Sequence, residues 1–152
     1  MLKEGGKAPD FNLKNQNGET VKLSEQKGKK IALYFYSKDD TPGCTKQACS
    51  LRDGFKDLQK AGITVYGVSM DTEAKHQKFI AKYDLPFDLL IDENHAIADK
   101  YGAYGEKKFM GRTFDGILRK TFLIDENGKI KKIFDKVKVD EHASEVLKAF
   151  SE

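Results

Sequence analysis

The sequence lacks any unbroken apolar run long enough to cross a lipid bilayer. Its longest such run, around residues 31–36, covers only a handful of positions, whereas a transmembrane helix needs roughly 20. The first residues, MLKEGGKAPDF, also lack the apolar core of a secretory signal and the arginine-rich character of a transit peptide. We therefore expect a protein that stays out of the membrane and resides in the cytoplasm.

Charge of one sign is not in excess. The chain carries 27 Lys and Arg against 24 Asp and Glu, a net charge of +3, and the two signs are interleaved. This balance lacks the basic footprint of a nucleic-acid-binding protein, so we expect no nucleic-acid partner. The densest basic stretch, residues 129–138, alternates with apolar residues and is more simply explained as a half-buried strand with a solvated lysine face.

Cysteine and histidine are scarce. The two cysteines, Cys44 and Cys49, are too few for a disulfide-stapled secreted scaffold in a chain that can build its own core. They do not form a CxxC motif, and His76, His95 and His142 lie far apart without ligand-type pairing. The sequence therefore predicts no metal site, and we interpret the three histidines as surface residues on helices.

The chain has enough apolar material for one core. Its length of 152 residues suits a single globular domain over residues 1–152, and 39% of it is hydrophobic, with ten Phe and six Tyr. Runs of β-branched and aromatic residues predict strands, and apolar residues at helical spacing lie between them. The predicted strands cover residues 31–36, 63–68, 87–91, 118–124 and 130–134, and the predicted helices lie near residues 48–58, 72–83, 96–100 and 140–150.

The order of these elements is βαβαβ, followed by an antiparallel hairpin and a closing helix. Asn17 and Gly18, flanked by apolar residues, predict a further β-hairpin near the N-terminus. Residues 101–116 contain four glycines, and we interpret them as an irregular excursion. The pattern predicts an α/β fold with a mixed central sheet, flanking helices and an N-terminal β-hairpin.

The most informative segment is YFYSKDDTPGCTKQACSLRD, which leads from a buried strand through a polar turn into an amphipathic helix. Thr41 is a good N-cap residue and Pro42 suits the first helical position, so Cys44 falls at the third. Unpaired backbone N–H groups and the positive end of the helix dipole lower the pKa of a thiol there and favour the nucleophilic thiolate.

Two acidic residues before this helix should act in the opposite direction. Asp39 and Asp40 lie close to Cys44 in sequence, and carboxylates near its sulfur would raise the pKa of the thiol. We therefore expect a nearby cation to offset them, and the sequence offers Arg112, Arg119 and several lysines.

The spacing of Cys44 and Cys49 predicts a redox switch. In an ideal helix their Cα atoms lie roughly 8.7 Å apart, whereas a disulfide spans less than about 7 Å. The pair can therefore bond only after a turn or two of the helix unwinds. The alternative is that either cysteine is a small buried core residue, as free cysteines often are, and the spacing alone leaves this open.

Three segments together resemble the peroxiredoxin Q group, also called bacterioferritin comigratory protein, of the thioredoxin-fold peroxiredoxins. They are GGKAPDFNL at residues 5–13, YSKDDTPGCTKQACSLRD at residues 36–53 and LRKTFLID at residues 118–125. The resemblance covers nearly the whole chain, and the TPGCT motif is highly specific. It implies a thioredoxin-like fold, with which the predicted element order agrees. At one position the chain departs from the group, which usually has proline where this sequence has Ser37.

The resemblance also implies residue roles. Cys44 corresponds to the peroxidatic cysteine, Cys49 to the resolving cysteine, Thr41 to the hydroxyl that orients the peroxide, and Arg119 to the cation beside the thiolate. Together they imply a thiol peroxidase for hydrogen peroxide and organic hydroperoxides, acting through a sulfenic acid and an intramolecular disulfide. No metal or organic cofactor is expected, because backbone N–H groups, Thr41 and Arg119 can hold the peroxide.

Electrons must come from outside the chain, and the resemblance implies thioredoxin or a similar dithiol protein acting on a monomer or weak homodimer. The rival hypothesis is a thioredoxin-fold sensor or binding protein whose disulfide reports oxidation without turnover. A disulfide oxidoreductase is disfavoured, because CxxxxC is not the CxxC motif that this chemistry uses.

Overall fold

The computed structural model describes residues 2–152, in which nine strands form two sheets. The strands are β1 (Asn12–Lys14), β2 (Thr20–Lys22), β3 (Lys30–Phe35), β4 (Ile63–Ser69), β5 (Asp88–Ile91), β6 (Tyr104–Phe109), β7 (Arg112–Ile117), β8 (Lys120–Ile124) and β9 (Ile130–Phe134). Seven of them form the central sheet in the order β2-β1-β5-β4-β3-β8-β9, and β6 pairs with β7 apart from it.

The central sheet is mixed, as the sequence predicted. Strands β3, β4 and β5 run parallel, which requires crossover connections, whereas β8 is antiparallel to β3 and β9 is antiparallel to β8. Phe35 at the end of β3 lies opposite Lys120 at the start of β8. This pairing brings the residues before Lys120 close to the loop that follows Phe35, where the polar turn of the sequence lies.

In the described part of the chain, five α-helices flank the sheet. They are α1 (Pro42–Asp53), α2 (Phe55–Lys60), α3 (Glu73–Tyr83), α4 (Ala96–Lys100) and α5 (His142–Ser151). The predicted helical face over residues 48–58 is real, but the helix is divided at Gly54. A Cβ atom at Gly54 would lie 2.5 Å from the Cβ of Ala143 in α5, so only glycine allows α5 to pack against the junction of α1 and α2.

Hydrophobic clusters cover both faces of the sheet. Along β3, Leu33 and Phe35 face one cluster while Ala32 and Tyr34 face the other, as the alternation of side chains along a strand requires. The cluster around Tyr34 includes buried residues of α1, α2, α3 and α5, and it also contains Cys44. The candidate site therefore lies where α1 begins, at the edge of a packed core.

The stretch that we interpreted as an irregular excursion is instead a regular β-hairpin. Strands β6 and β7 pair in register from Tyr104 opposite Ile117 to Phe109 opposite Arg112. The two residues between them have positive φ, 52° at Met110 and 77° at the following glycine, which is the conformation of a tight primed turn. The glycines of this stretch had suggested breaks, but the hairpin accommodates them.

The other predicted elements are confirmed, with small shifts at their ends. The N-terminal hairpin of β1 and β2 turns at Gly18, and β1 joins the central sheet beside β5. Strand β8 begins at Lys120 rather than at residue 118, and α5 begins at His142 rather than at residue 140. Within residues 2–152, no helix has the length and apolar character needed to cross a membrane.

The expectation of surface histidines is wrong for two of the three. His76 and His142 are fully buried. His142 lies between the hydroxyl of Thr121, 2.8 Å from Nε2, and the carboxylate of Glu145, 2.9 Å from Nδ1. Since the carboxylate only accepts hydrogen bonds, Nδ1 donates to it and Nε2 accepts from the hydroxyl. The burial of His142 was not visible in the sequence because it depends on packing against Thr121 in β8, 21 positions away in the chain.

Candidate active site

Cys44 lies in the first turn of α1, as predicted. Thr41 is the N-cap residue with extended φ and ψ of −92° and 156°, and Pro42 opens the helix. The first helical hydrogen bond runs from the N–H of Thr45 to the carbonyl of Thr41, 2.8 Å away. The backbone N–H groups of Gly43 and Cys44 precede this bond, so no carbonyl of the helix is available to them. These two N–H groups are therefore free of helical hydrogen bonds at the end of α1 where the Cys44 sulfur lies.

Arg119 provides the cation beside this sulfur. Its Nη2 donates to Sγ of Cys44 at 3.4 Å, and its Nη1 donates to Oε1 of Gln47 at 2.6 Å. Arg119 comes immediately before β8, which is why the pairing of β8 with β3 brings it here. A Cβ atom at Gly43 would lie 3.0 Å from Nη2 of Arg119, so the guanidinium approaches the helix where there is no side chain.

The environment of Cys44 favours the thiolate. Burial of the thiol raises its pKa, but hydrogen bonds from the Thr41 hydroxyl and the Lys38 backbone N–H, together with the charge and hydrogen bond of Arg119, outweigh burial, so the pKa of Cys44 is lowered. Cys44 is only 2% exposed, so these few groups, rather than solvent, decide whether its thiol is ionised. A lowered pKa makes the thiol a better nucleophile at neutral pH.

The hydroxyl of Thr41 does not cap the helix in the way the sequence suggested. Its position at the N-cap is confirmed, but it makes no side-chain hydrogen bond to the helix N–H groups. It donates instead to the carbonyl oxygen of Lys38 at 2.8 Å, and it also lies within reach of the Cys44 sulfur. A hydroxyl has one proton, so it can serve only one of these acceptors at a time.

The expectation that Asp39 and Asp40 oppose the thiolate is wrong. The carboxylate of Asp39 accepts hydrogen bonds from Tyr36 and is paired with His76, while that of Asp40 accepts from Lys82 at 2.7 Å and from Tyr83 at 2.8 Å. The pKa of Asp40 is lowered by its hydrogen bonds to Lys82 and Tyr83. Both carboxylates are therefore directed at α3, and neither is among the groups that shift the pKa of Cys44.

A buried polar cluster supports the loop before α1, and the sequence analysis missed it. Asp39, Asp71 and His76 bring ligand-type atoms within 4.8 Å of one another. These atoms are already used, however: Nδ1 of His76 contacts Asp39 at 2.6 Å, and Oδ2 of Asp71 accepts from Ser69 and from the Asp39 backbone N–H. The cluster is a hydrogen-bond network that holds the loop, and its members are too far apart in sequence for a spacing argument to find.

A second cation reaches the loop from the hairpin. Nζ of Lys107 in β6 donates to Oγ of Ser37 at 2.6 Å. Sequence reasoning did not select Lys107, because the stretch around it was interpreted as irregular. Ser37, the position at which this chain departs from the peroxiredoxin Q group, thus makes a specific contact with Lys107.

Cys44 and Cys49 are both free cysteines in an unbroken α1. Cys44 is buried and Cys49 is partly exposed. Between them, Nε2 of the fully buried Gln47 has no hydrogen-bond partner among residues 2–152. A buried donor without a partner costs about 1–3 kcal/mol, which destabilises α1 at the place where it would have to unwind.

The chain is similar to known proteins over most of its length. Residues 5–133 match the AhpC/TSA family. Peroxiredoxin Bcp from Escherichia coli K12 is 49% identical over 146 residues, covering 96% of this chain and 94% of that protein. Peroxiredoxin Bcp from Bacillus subtilis 168 is 47% identical over 148 residues, covering 97% and 94%.

Solved structures of lower sequence identity share the fold of this chain. A cysteine-to-serine variant of Xylella fastidiosa PrxQ superposes with a TM-score of 0.91 at 30% identity, covering 100% of this chain and 99% of the other. A variant of Xanthomonas campestris peroxiredoxin Q gives 0.86 at 34% identity, covering 93% and 90%. With the thioredoxin-like fold, a buried cysteine of lowered pKa at a helix start and these relatives together, the chain belongs to the AhpC/TSA family and, within it, to the Bcp or peroxiredoxin Q group of peroxiredoxins.

Proposed function

We propose that Cys44 is the peroxidatic cysteine of this thiol peroxidase. Its thiolate attacks one oxygen of the peroxide and the O–O bond breaks. Cys44 becomes a sulfenic acid, and the other oxygen leaves with the electron pair and takes up a proton to give water or an alcohol. The observation that carries this role is the Arg119 guanidinium 3.4 Å from Sγ of Cys44 at the start of a helix.

The groups around Cys44 can hold the peroxide without a metal or organic cofactor. The N–H groups of Gly43 and Cys44 and the guanidinium of Arg119 supply donors where negative charge develops on the leaving oxygen. Thr41 can release its proton from the Lys38 carbonyl and turn it toward a bound oxygen. We therefore assign Thr41 the role of orienting the peroxide.

Cys49 is the resolving cysteine in this proposal. The Cys49 thiol attacks the sulfenic acid of Cys44, water leaves, and an intramolecular disulfide forms once α1 unwinds between them. Two electrons from a dithiol protein such as thioredoxin restore both thiols, in a monomer or weak homodimer in the cytoplasm. Organic hydroperoxides are included among the substrates because the Xanthomonas campestris bacterioferritin comigratory protein, 33% identical to this chain, was studied for its alkyl peroxide reduction activity.

The test is peroxide consumption by purified protein with thioredoxin and thioredoxin reductase as the electron source. Cys44→Ser should abolish consumption, whereas Cys49→Ser should consume one equivalent of peroxide and leave a sulfenic acid that dimedone traps. Sustained turnover by Cys44→Ser would overturn the assignment. If the native protein oxidises once and then does not turn over with any dithiol, it is a redox sensor instead.

A further inference from the structure

The hairpin of β6 and β7 brings Lys107 to the active site. The proposed mechanism assigns this lysine no role. Its Nζ lies 2.6 Å from Oγ of Ser37. Ser37 is adjacent to Lys38, whose backbone helps to lower the pKa of Cys44. The ammonium group is thus attached to the same short loop that contacts the nucleophile.

The hairpin also fixes the stem of this side chain. Lys107 lies opposite Phe114 in the β6–β7 register, so the two side chains share one face of the hairpin. A Cβ atom at Gly116 would lie 3.3 Å from Cδ of Lys107 and 3.6 Å from the Phe114 ring. The aliphatic stem therefore lies over a glycine, beside an aromatic ring, and its end is held by Ser37.

The charges in the site do not cancel. Burial lowers the pKa of Lys107, the charge of Arg119 lowers it further, and the charge of Cys44 raises it, so the ammonium is within electrostatic reach of both groups. Arg119 and Lys107 contribute two positive charges against one on the thiolate. Asp39 and Asp40 do not neutralise the excess, because their carboxylates are engaged by groups of α3.

We propose that Lys107 is a second cation of the active site, held in place by Ser37, and that it makes Cys44 react faster with peroxides that carry a negative charge than with neutral ones. The inference rests on the role proposed for Cys44. Proline, which the group usually has at position 37, has no side-chain acceptor. This chain therefore orders the ammonium in a way that a protein with proline there cannot.

The test compares two hydroperoxides of similar size. One is tert-butyl hydroperoxide, and the other is 2-hydroperoxy-2-methylpropanoate, in which a carboxylate replaces one methyl group. For each, the second-order rate constant for oxidation of Cys44 is measured at pH 7, and the ratio of anionic to neutral peroxide is reported. A change in the pKa of Cys44 affects both rate constants equally, so the ratio isolates the preference for charge.

Lys107→Met should lower the ratio about three- to tenfold, because one positive charge near the substrate is lost. Lys107→Arg should retain the ratio, and Ser37→Ala should lower it by a smaller factor because the ammonium is released but not removed. Lys108→Met is the matched control, since Lys108 is the exposed neighbour on the same strand.

An unchanged ratio in Lys107→Met would overturn the inference, as would an equal fall in Lys108→Met. A decline of the native ratio with added salt supports it, because partly exposed charges are screened. Failure of both peroxides to oxidise Cys44 in the native protein would contradict the proposed function instead, so the two failures are distinguishable.

Discussion

His76 and Asp39 are joined by a 2.6 Å contact between Nδ1 and Oδ2, although 37 positions separate them in the chain. Both side chains are buried, with exposures of 0% and 5%. Nε2 of His76 lies 3.0 Å from the carbonyl oxygen of Leu90, and since a carbonyl only accepts, Nε2 carries a proton. The pair fastens the loop before Cys44 to helix α3.

Removal of this buried pair should cost much more stability than removal of an exposed pair of the same type. Asp39→Ala leaves His76 and Tyr36 without their acceptor, so the free energy of unfolding in urea should fall by about 2–4 kcal/mol. The matched control is Asp99→Ala, which breaks the more exposed contact of His95 and Asp99 and should cost no more than about 0.5 kcal/mol. Equal losses would show that the cluster does not support the fold.

Arg119 should lower the pKa of Cys44 by direct contact rather than by offsetting acidic neighbours. Arg119→Ala removes both its hydrogen bond and its charge, which lower the pKa of Cys44, so the pKa of the thiol, measured from the pH dependence of alkylation, should rise. Arg112→Ala removes an exposed arginine of the β6–β7 hairpin and should leave the pKa of Cys44 unchanged. An unchanged pKa of Cys44 in Arg119→Ala would mean that the start of the helix lowers this pKa without the arginine.

His142 should make the protein less stable in mild acid. Burial is the main reason that the pKa of His142 is lowered in the fold, although Glu145 partly opposes it. The unfolded chain then binds a proton more readily than the folded one. Stability should therefore be complete above the unfolded pKa of about 6.5 and decline as the pH falls toward the folded pKa. His142→Gln should flatten this part of the pH profile of unfolding.

Formation of the Cys44–Cys49 disulfide should not raise the melting temperature. Chain entropy for a loop of about six residues contributes only about 2.2 kcal/mol. Unwinding α1 costs several hydrogen bonds of about 0.5–1.5 kcal/mol each and loosens Leu51, whose burial is worth about 1.5–3 kcal/mol. Amide exchange should accelerate across residues 43–53 on oxidation.

The control for this prediction is Cys49→Ser, which cannot form the disulfide and should keep its exchange pattern after one equivalent of peroxide. A clearly higher melting temperature for the oxidised protein, with residues 43–53 still protected, would mean that Cys49 is misassigned.

Features that depend on near neighbours in the chain could be predicted from the sequence. The start of α1 follows from Thr41 and Pro42, since both residue types act within one turn, and this placed Cys44 correctly. Strands β3, β4, β5, β8 and β9 followed from their apolar runs, and the turn at Gly18 from its Asn-Gly pair. Each of these rests on backbone preferences that neighbouring residues set.

Features that depend on tertiary contact could not be predicted in this way. Both Asp39 and Asp40 have partners on α3, far away in the chain, so their carboxylates were wrongly assigned to the sulfur. Lys107 was missed because glycines that fit the β6–β7 hairpin are also typical of loops. In both cases the charged residue was visible in the sequence, but the residue that its side chain contacts was not.

The division of the helix at Gly54 would limit how far the proposed disulfide cycle disturbs the protein. The N–H of Gly54 closes the last turn of α1 on Ser50, and its carbonyl accepts the hydrogen bond from Leu58 in α2. In the proposed cycle, unwinding between the two cysteines would end at Gly54 and leave the hydrogen bonds of α2 in place. Most of the core would then stay assembled in the disulfide form, and we expect each proposed cycle to expose little apolar surface to aggregation.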